Sequence, residues 1–99
     1  MPFENIVALH VTDAAGYQRY RDAMTPILVR MGGGFRYDFV VDQVLKSEAS
    51  HPINRVFAIY FPDRQTMTAF FADPAYKMIR DEHFTPAVGG TTIISQYER

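Results

Sequence analysis

Two side chains able to move a proton interrupt apolar runs at matching places. His10 lies within Asn5–Val11 and Tyr60 within Asn54–Phe61, fifty residues later. A His–Tyr pair can shuttle a proton, or orient a phenol or enol substrate. The alternative is a hydrogen-bonded polar pair buried in an interface, since buried polar groups are usually satisfied by a partner. His83 follows Asp81 and Glu82 in a segment that can act as a lid. There it can serve as a general base or an axial haem ligand, or simply be a solvated loop histidine. We take His10, Tyr60 and His83 as the candidate catalytic residues.

Arginines supply the binding chemistry. Arg36, Arg55 and Arg80 can each hold a carboxylate by a two-pronged contact, or else form ordinary surface ion pairs. Tyr37, Phe39, Tyr76 and Phe84 can line an aromatic pocket or fill a core. Arg36, Tyr37, Arg55 and Tyr76 are the candidate substrate-binding residues. His10, His51, His83 and Glu82 show neither His-x-His nor His-x3-His spacing. Neither a metal nor another cofactor is therefore expected.

Composition narrows the function classes. The net charge is −1, with only two lysines, Lys46 and Lys77, and eight scattered arginines. A nucleic-acid binder needs clustered positive charge to replace phosphate counterions, so none is expected as a partner. The absence of cysteine excludes disulfide, thiolate and cysteine–zinc chemistry. No apolar run approaches the ~20 residues of a membrane span. The N-terminus carries no basic region before an apolar stretch, so a cytoplasmic location is expected. Gly32-Gly33-Gly34 follows a helix, whereas phosphate cradles precede one.

The elements that must position these residues follow from periodicity. Asn5–Val11 is rich in branched residues and reads as a strand. Thr12 or Asp13 then caps a helix. Tyr17, Tyr20, Met24, Ile27, Leu28 and Met31 form its apolar stripe, while Arg19, Asp22 and Arg30 face away. Pro26 lies opposite the stripe and predicts a bend rather than a break. Glycine 32 begins the stop. Phe35–Leu45 opens with alternation, placing Phe35, Tyr37, Phe39 and Val41 on one face of a second strand. A polar loop over 46–53 leads to the third strand, which Pro62 ends. Asp63 caps a second helix through about Ala72, and Asp73-Pro74 begins another short helical piece to about Glu82. A loop over His83–Gly90 and a last strand over Thr91–Tyr97 complete the chain.

The order β-α-β-β-α-β is the ferredoxin-like arrangement in one α+β domain spanning residues 1–99. It predicts a four-stranded antiparallel sheet with two helices on one face. The chain also echoes itself. Val7, Leu9 and Val11 correspond to Phe57, Ile59 and Phe61, and Asp13 to Asp63. Tyr17 and Tyr20 correspond to Met67 and Phe70.

The second face of the two apolar strands, Ile6, Ala8, His10, Val56, Ala58 and Tyr60, is left without helices. Four strands present about 350–400 Å² of projected sheet there. A patch of that size predicts a second copy of the chain as partner, giving a sheet-on-sheet homodimer.

Val11-Thr12-Asp13, Gly16-Tyr17, Tyr20, Pro26 and Gly32-Gly33 with Phe35 carry a resemblance. So do Ile59-Tyr60-Phe61-Pro62, Ala69-Phe70-Phe71 and Asp73-Pro74-Ala75-Tyr76. Over roughly residues 6–80 the chain resembles the dimeric α+β barrel superfamily, and within it a small family of uncharacterised bacterial proteins of similar length. The resemblance implies a dimeric barrel of two such sheets. It also implies a cofactor-independent enzyme of monooxygenase or isomerase type acting on a small aromatic or enol-type metabolite. A non-catalytic homodimer that binds a small ligand, or an interaction module, is the alternative.

Overall fold

The computed structural model describes residues 1–99. Its elements are β1 (Phe3–Val11), α1 (Ala14–Arg30), β2 (Gly34–Val40), β3 (Arg55–Phe61), α2 (Arg64–Ala72) and α3 (Pro74–Ile79). A π-helical turn (Arg80–Phe84), the single turn α4 (Thr85–Ala87) and β4 (Val88–Glu98) follow. The strands form one antiparallel sheet in the order β2-β3-β1-β4, which is the ferredoxin-like order. No helix is long and apolar enough to cross a membrane.

The caps explain where the helices begin. Asp13 accepts a hydrogen bond from the Gly16 amide at 3.1 Å, and Asp63 accepts one from Thr66 at 2.7 Å. Each carboxylate satisfies an amide that has no partner inside its helix, and sits where the helix dipole favours negative charge. Asp73 does the same for α3, accepting from Ala75 and Tyr76. Pro26 lies inside α1 without ending it. Gly32 does end it, at φ 86°, in the left-handed conformation that glycine adopts without strain.

The core lies between the sheet and the helices. Val7 and Leu9 of β1 and Phe57, Ile59 and Phe61 of β3 pack against Tyr17, Tyr20, Met24, Ile27 and Leu28 of α1 and Phe70 of α2. These are the stripe and strand residues expected from the pattern, and the echo holds at Tyr20 and Phe70, both buried. Arg21 joins them on the buried side of α1, which the stripe did not predict.

Two segments differ from expectation. The loop expected over His83–Gly90 is instead a π-helical turn, a turn of α4 and the start of β4. Pro86 lies in the first turn of α4, where a missing N–H costs nothing, so it does not break the run. Gly89 and Gly90 belong to β4 because side chains press against them. A Cβ on Gly90 would lie 2.4 Å from the His51 ring, and one on Gly89 would lie 3.1 Å from His10 Nδ1.

The second difference is in β2, which ends at Val40 rather than Leu45. Its pairing with β3 shifts by one residue between Phe35 and Tyr37, leaving Arg36 as the extra residue of a bulge. One inserted residue exchanges faces. Phe35 therefore joins the helix side, its ring 5.5 Å from Phe57, while Tyr37 and Phe39 stand on the open side. The simple alternation expected for Phe35, Tyr37 and Phe39 is interrupted for this reason.

The open face carries Glu4, Ile6, Ala8 and His10 of β1 beside Val56, Ala58 and Tyr60 of β3. Residues 41–54 reach over its far end, where His51 Nε2 lies 2.8 Å from Thr92 Oγ1 of β4. Asn54 pins that loop by donating to the Val11 carbonyl and accepting from the Val11 amide.

Candidate functional site

The expected site residues separate into five places. His10 and Tyr60 share the open face, but they do not meet. Tyr60 pairs across strands with Glu4, and Leu9 pairs with Arg55, so His10 stands at the other end of β1. Six residue steps along the strand separate Glu4 from His10, a distance on the order of 20 Å. The expectation that central strands bring them together is corrected here. The two halves pair antiparallel, so equivalent positions in the echo move apart. His83 lies in the π-helical turn, with Nε2 3.8 Å from the Glu82 carboxylate. Tyr76 is buried among the helices, its hydroxyl 2.9 Å from that of Tyr20 and its ring 4.5 Å from Phe70. It belongs to the core rather than to a groove. Burial pushes both of those phenols above their usual range, and the Tyr20–Tyr76 pairing raises Tyr20 further. Phe84 packs on Tyr20 at 4.9 Å and is also a core residue.

Three of the expected residues do meet. Arg36, Tyr37 and Tyr60 line one open-face groove of about 340 Å³, together with Phe35 and Arg99. The bulge aims Arg36 across β3, where its guanidinium lies over the Tyr60 ring at 4.2 Å. Its Nε continues to the Glu4 carboxylate at 2.8 Å. Glu4 also accepts from Arg99 Nη1 at 3.1 Å and from the Tyr97 hydroxyl. Glu4 is 2 % exposed, shielded by these partners rather than by depth. Burial alone would raise its pKa; the Tyr97 hydroxyl and the Arg99 and Arg36 guanidiniums outweigh that, and the carboxylate is held below its usual range.

This clasp ties all four strands at one end of the sheet, and its charges do not cancel. Two guanidiniums share one carboxylate, an excess of one positive charge among these side chains. Beside it, the Tyr37 and Phe39 rings stack at 5.9 Å and are 58 % and 54 % exposed. Gly34 leaves room for the Tyr60 ring beside the groove, since a Cβ there would lie 2.8 Å from the Tyr60 hydroxyl.

Sequence reasoning missed Glu4, Tyr97 and Arg99. Glu4 stands one residue before the run taken as β1, and Arg99 beyond the run taken as β4. The strand alternation of Glu4 with Ile6, Ala8 and His10 is the signal that places it on the open face.

Arg55 is elsewhere, on the helix side. Its Nε and Nη2 donate to the two oxygens of Asp38 at 2.7 and 2.8 Å. Arg21 of α1 donates to the same carboxylate. The Arg21 guanidinium lies over the Phe35 ring at 3.6 Å, and that of Arg55 lies 5.0 Å from the Tyr17 ring centre. Arg80 binds its neighbour Asp81 at 2.9 Å and faces no groove described above. Nowhere do three histidine, aspartate or glutamate side chains gather as metal ligands do.

Solved structures share the fold at low identity. A protein of unknown function from Rhodopseudomonas palustris is similar with a TM-score of 0.82 at 17% identity, over 99% of this chain and 82% of that chain. A dabb family protein with a ferredoxin-like fold from Mesorhizobium loti gives 0.67 at 16%, over 99% and 96%. A dimeric ferredoxin-like protein of unknown function from a Jannaschia species gives 0.61 at 13%, over 100% of each chain. No curated protein matches the sequence. A family model does match, over residues 5–97, and by that match the chain belongs to DUF1330, a domain of unknown function.

Proposed function

We propose that the protein is a homodimer joined through the open face of its sheet, and that the Arg36–Tyr60 groove binds a small aromatic or enol-type anion beside that interface. The observation that carries the ligand class is the Arg36 guanidinium over the Tyr60 ring, 4.2 Å away, in a clasp with one positive charge in excess. An anion answers the charge, and a planar ring answers the exposed Tyr37–Phe39 stack. The dimer is supported by that aromatic exposure on a face no helix covers, and by the dimeric relative from Jannaschia. Binding rather than turnover is proposed, because His10 is too far from Tyr60 to act on the same ligand atom.

The experiment titrates 4-hydroxybenzoate and its uncharged amide by calorimetry, alongside sedimentation velocity at micromolar protein. We expect a dimer, and a preference for the carboxylate that Arg36→Gln weakens about 10- to 100-fold, as expected for a charged hydrogen bond. A stable monomer, or equal affinity for acid and amide, overturns the proposal.

A further inference from the structure

The helix side of the sheet holds a second group of charges whose hydrogen bonds do not balance. Asp38 accepts three N–H donors, one from Arg21 and two from Arg55. Two other donors belong to this cluster, in which the Tyr17 ring lies 5.6 Å from the Arg21 guanidinium and 5.0 Å from that of Arg55. The Tyr17 hydroxyl and Arg21 Nε have no partner, although Tyr17 is 1 % and Arg21 8 % exposed. Buried donors are rarely left so, because each loses its water without recovering a bond.

From this we infer that Tyr17, Arg21, Asp38 and Arg55 form a second anion site, which takes a small 2-oxo carboxylate in exchange for the Asp38 side chain. The two guanidiniums are the seat. Arg21 is fixed by its stacking on Phe35, with Phe57 5.3 Å from the guanidinium on the same side. Asp38 is the member free to leave. It is the more exposed partner of both ion pairs, and it borders an open groove of about 460 Å³. Beyond the bridge that groove is walled by Gln18, Asp22, Thr25 and Pro26, with no aromatic or branched apolar side chain. It therefore suits a small polar ligand rather than a ring. Asp22, held by Gln18 at 2.9 Å, is the other charge at the rim.

The ligand class follows from the count of acceptors. A plain carboxylate replaces Asp38 oxygen for oxygen and leaves Tyr17 and Arg21 Nε as they were. A carbonyl oxygen on the adjacent carbon adds the acceptor that these two donors lack. Tyr17 is suited to donate, since burial pushes its phenol up to about 12 and the hydroxyl keeps its proton at neutral pH. Ligand binding then returns the hydrogen bonds that the Asp38 bridge leaves unmade.

The test follows arginine Nε–H resonances of the full chain during titration with pyruvate and, separately, acetate. Pyruvate is expected to shift the Arg21 Nε–H saturably, and to bind about 10- to 100-fold more tightly than acetate, as hydrogen bonds from both Tyr17 and Arg21 to the added oxygen imply. Tyr17→Phe should weaken pyruvate about 3- to 10-fold, the share of its one neutral hydrogen bond, and leave acetate unchanged. Asp38→Asn should tighten pyruvate binding, because the competing carboxylate loses its charge. Arg36→Gln, on the other face, should alter neither titration, which separates this site from the open-face groove. Absence of a saturable Arg21 shift, equal affinity for the two anions, or indifference to Tyr17→Phe overturns the inference and leaves an ion pair solvated by water alone.

Discussion

Tyr60 stands opposite Glu4 on adjacent antiparallel strands, not opposite His10. The side chain nearest the Tyr60 end of β1 is thus a carboxylate already neutralised by arginines. His10 faces the β4 glycines instead. Residues this far apart act independently. The unfolding free energies of His10→Ala and Tyr60→Phe should add to within about 0.5 kcal/mol in the double variant. Chemical denaturation measures this, and a larger coupling would restore a linked His–Tyr pair.

Acid should unfold the protein through its two bridged carboxylates. For both Glu4 and Asp38, burial pushes the pKa up, but arginine partners, joined at Glu4 by the Tyr97 hydroxyl, push it further down, so the folded pKa lies below the ordinary value. A group depressed on folding stabilises the fold above its unfolded pKa, and that stability is lost as pH falls through the folded one. The melting temperature should therefore hold steady until pH approaches the ordinary values of 4.5 and 3.8, then fall. Glu4→Gln and Asp38→Asn should each lower the plateau and shallow that fall; an unchanged acid limb in both would show that other groups govern it.

Matching caps predict matching losses. Asp13→Ala and Asp63→Ala should each cost about 1 kcal/mol by urea denaturation, with Asn recovering most of it. Gly16→Ala should resemble Asp13→Ala, because its Cβ would lie 2.5 Å from the Asp13 carboxylate. A Gly16→Ala variant as stable as the parent would argue against that cap.

The end of α1 depends on one backbone conformation. Gly32→Ala should cost about 1–2 kcal/mol, since a side chain at positive φ meets its own backbone. The same Cβ would also lie 2.8 Å from Pro62, so the loss should exceed that of Gly89→Ala, where φ is ordinary and the nearest atom is 3.1 Å away. Paired thermal melts decide the order.

Much of the fold was legible in the residues. The capping aspartates, the α1 stripe and the apolar runs of β1 and β3 are set by neighbours within a turn or two, and local order survives in the sequence as period and spacing. Arg36, Tyr37 and Tyr60 were also found as candidates by type alone. Their meeting was not legible, because it depends on the β2 bulge that turns Arg36 across β3. Asp38 and Arg21 were not among the candidates; only the packing of α1 on the sheet brings a helix arginine and a strand arginine onto one carboxylate.

By itself, the sequence determined a split β-α-β repeated twice, with one helix-bearing layer and one bare apolar face, since those properties reside in runs of adjacent residues. Tertiary structure decided which chemistry gathers where. The two halves run antiparallel, so the repeat carries His10 and Tyr60 to opposite ends, and cross-strand register puts Glu4 where the echo had suggested a histidine. Register is a relation between distant segments, and no local spacing encodes it.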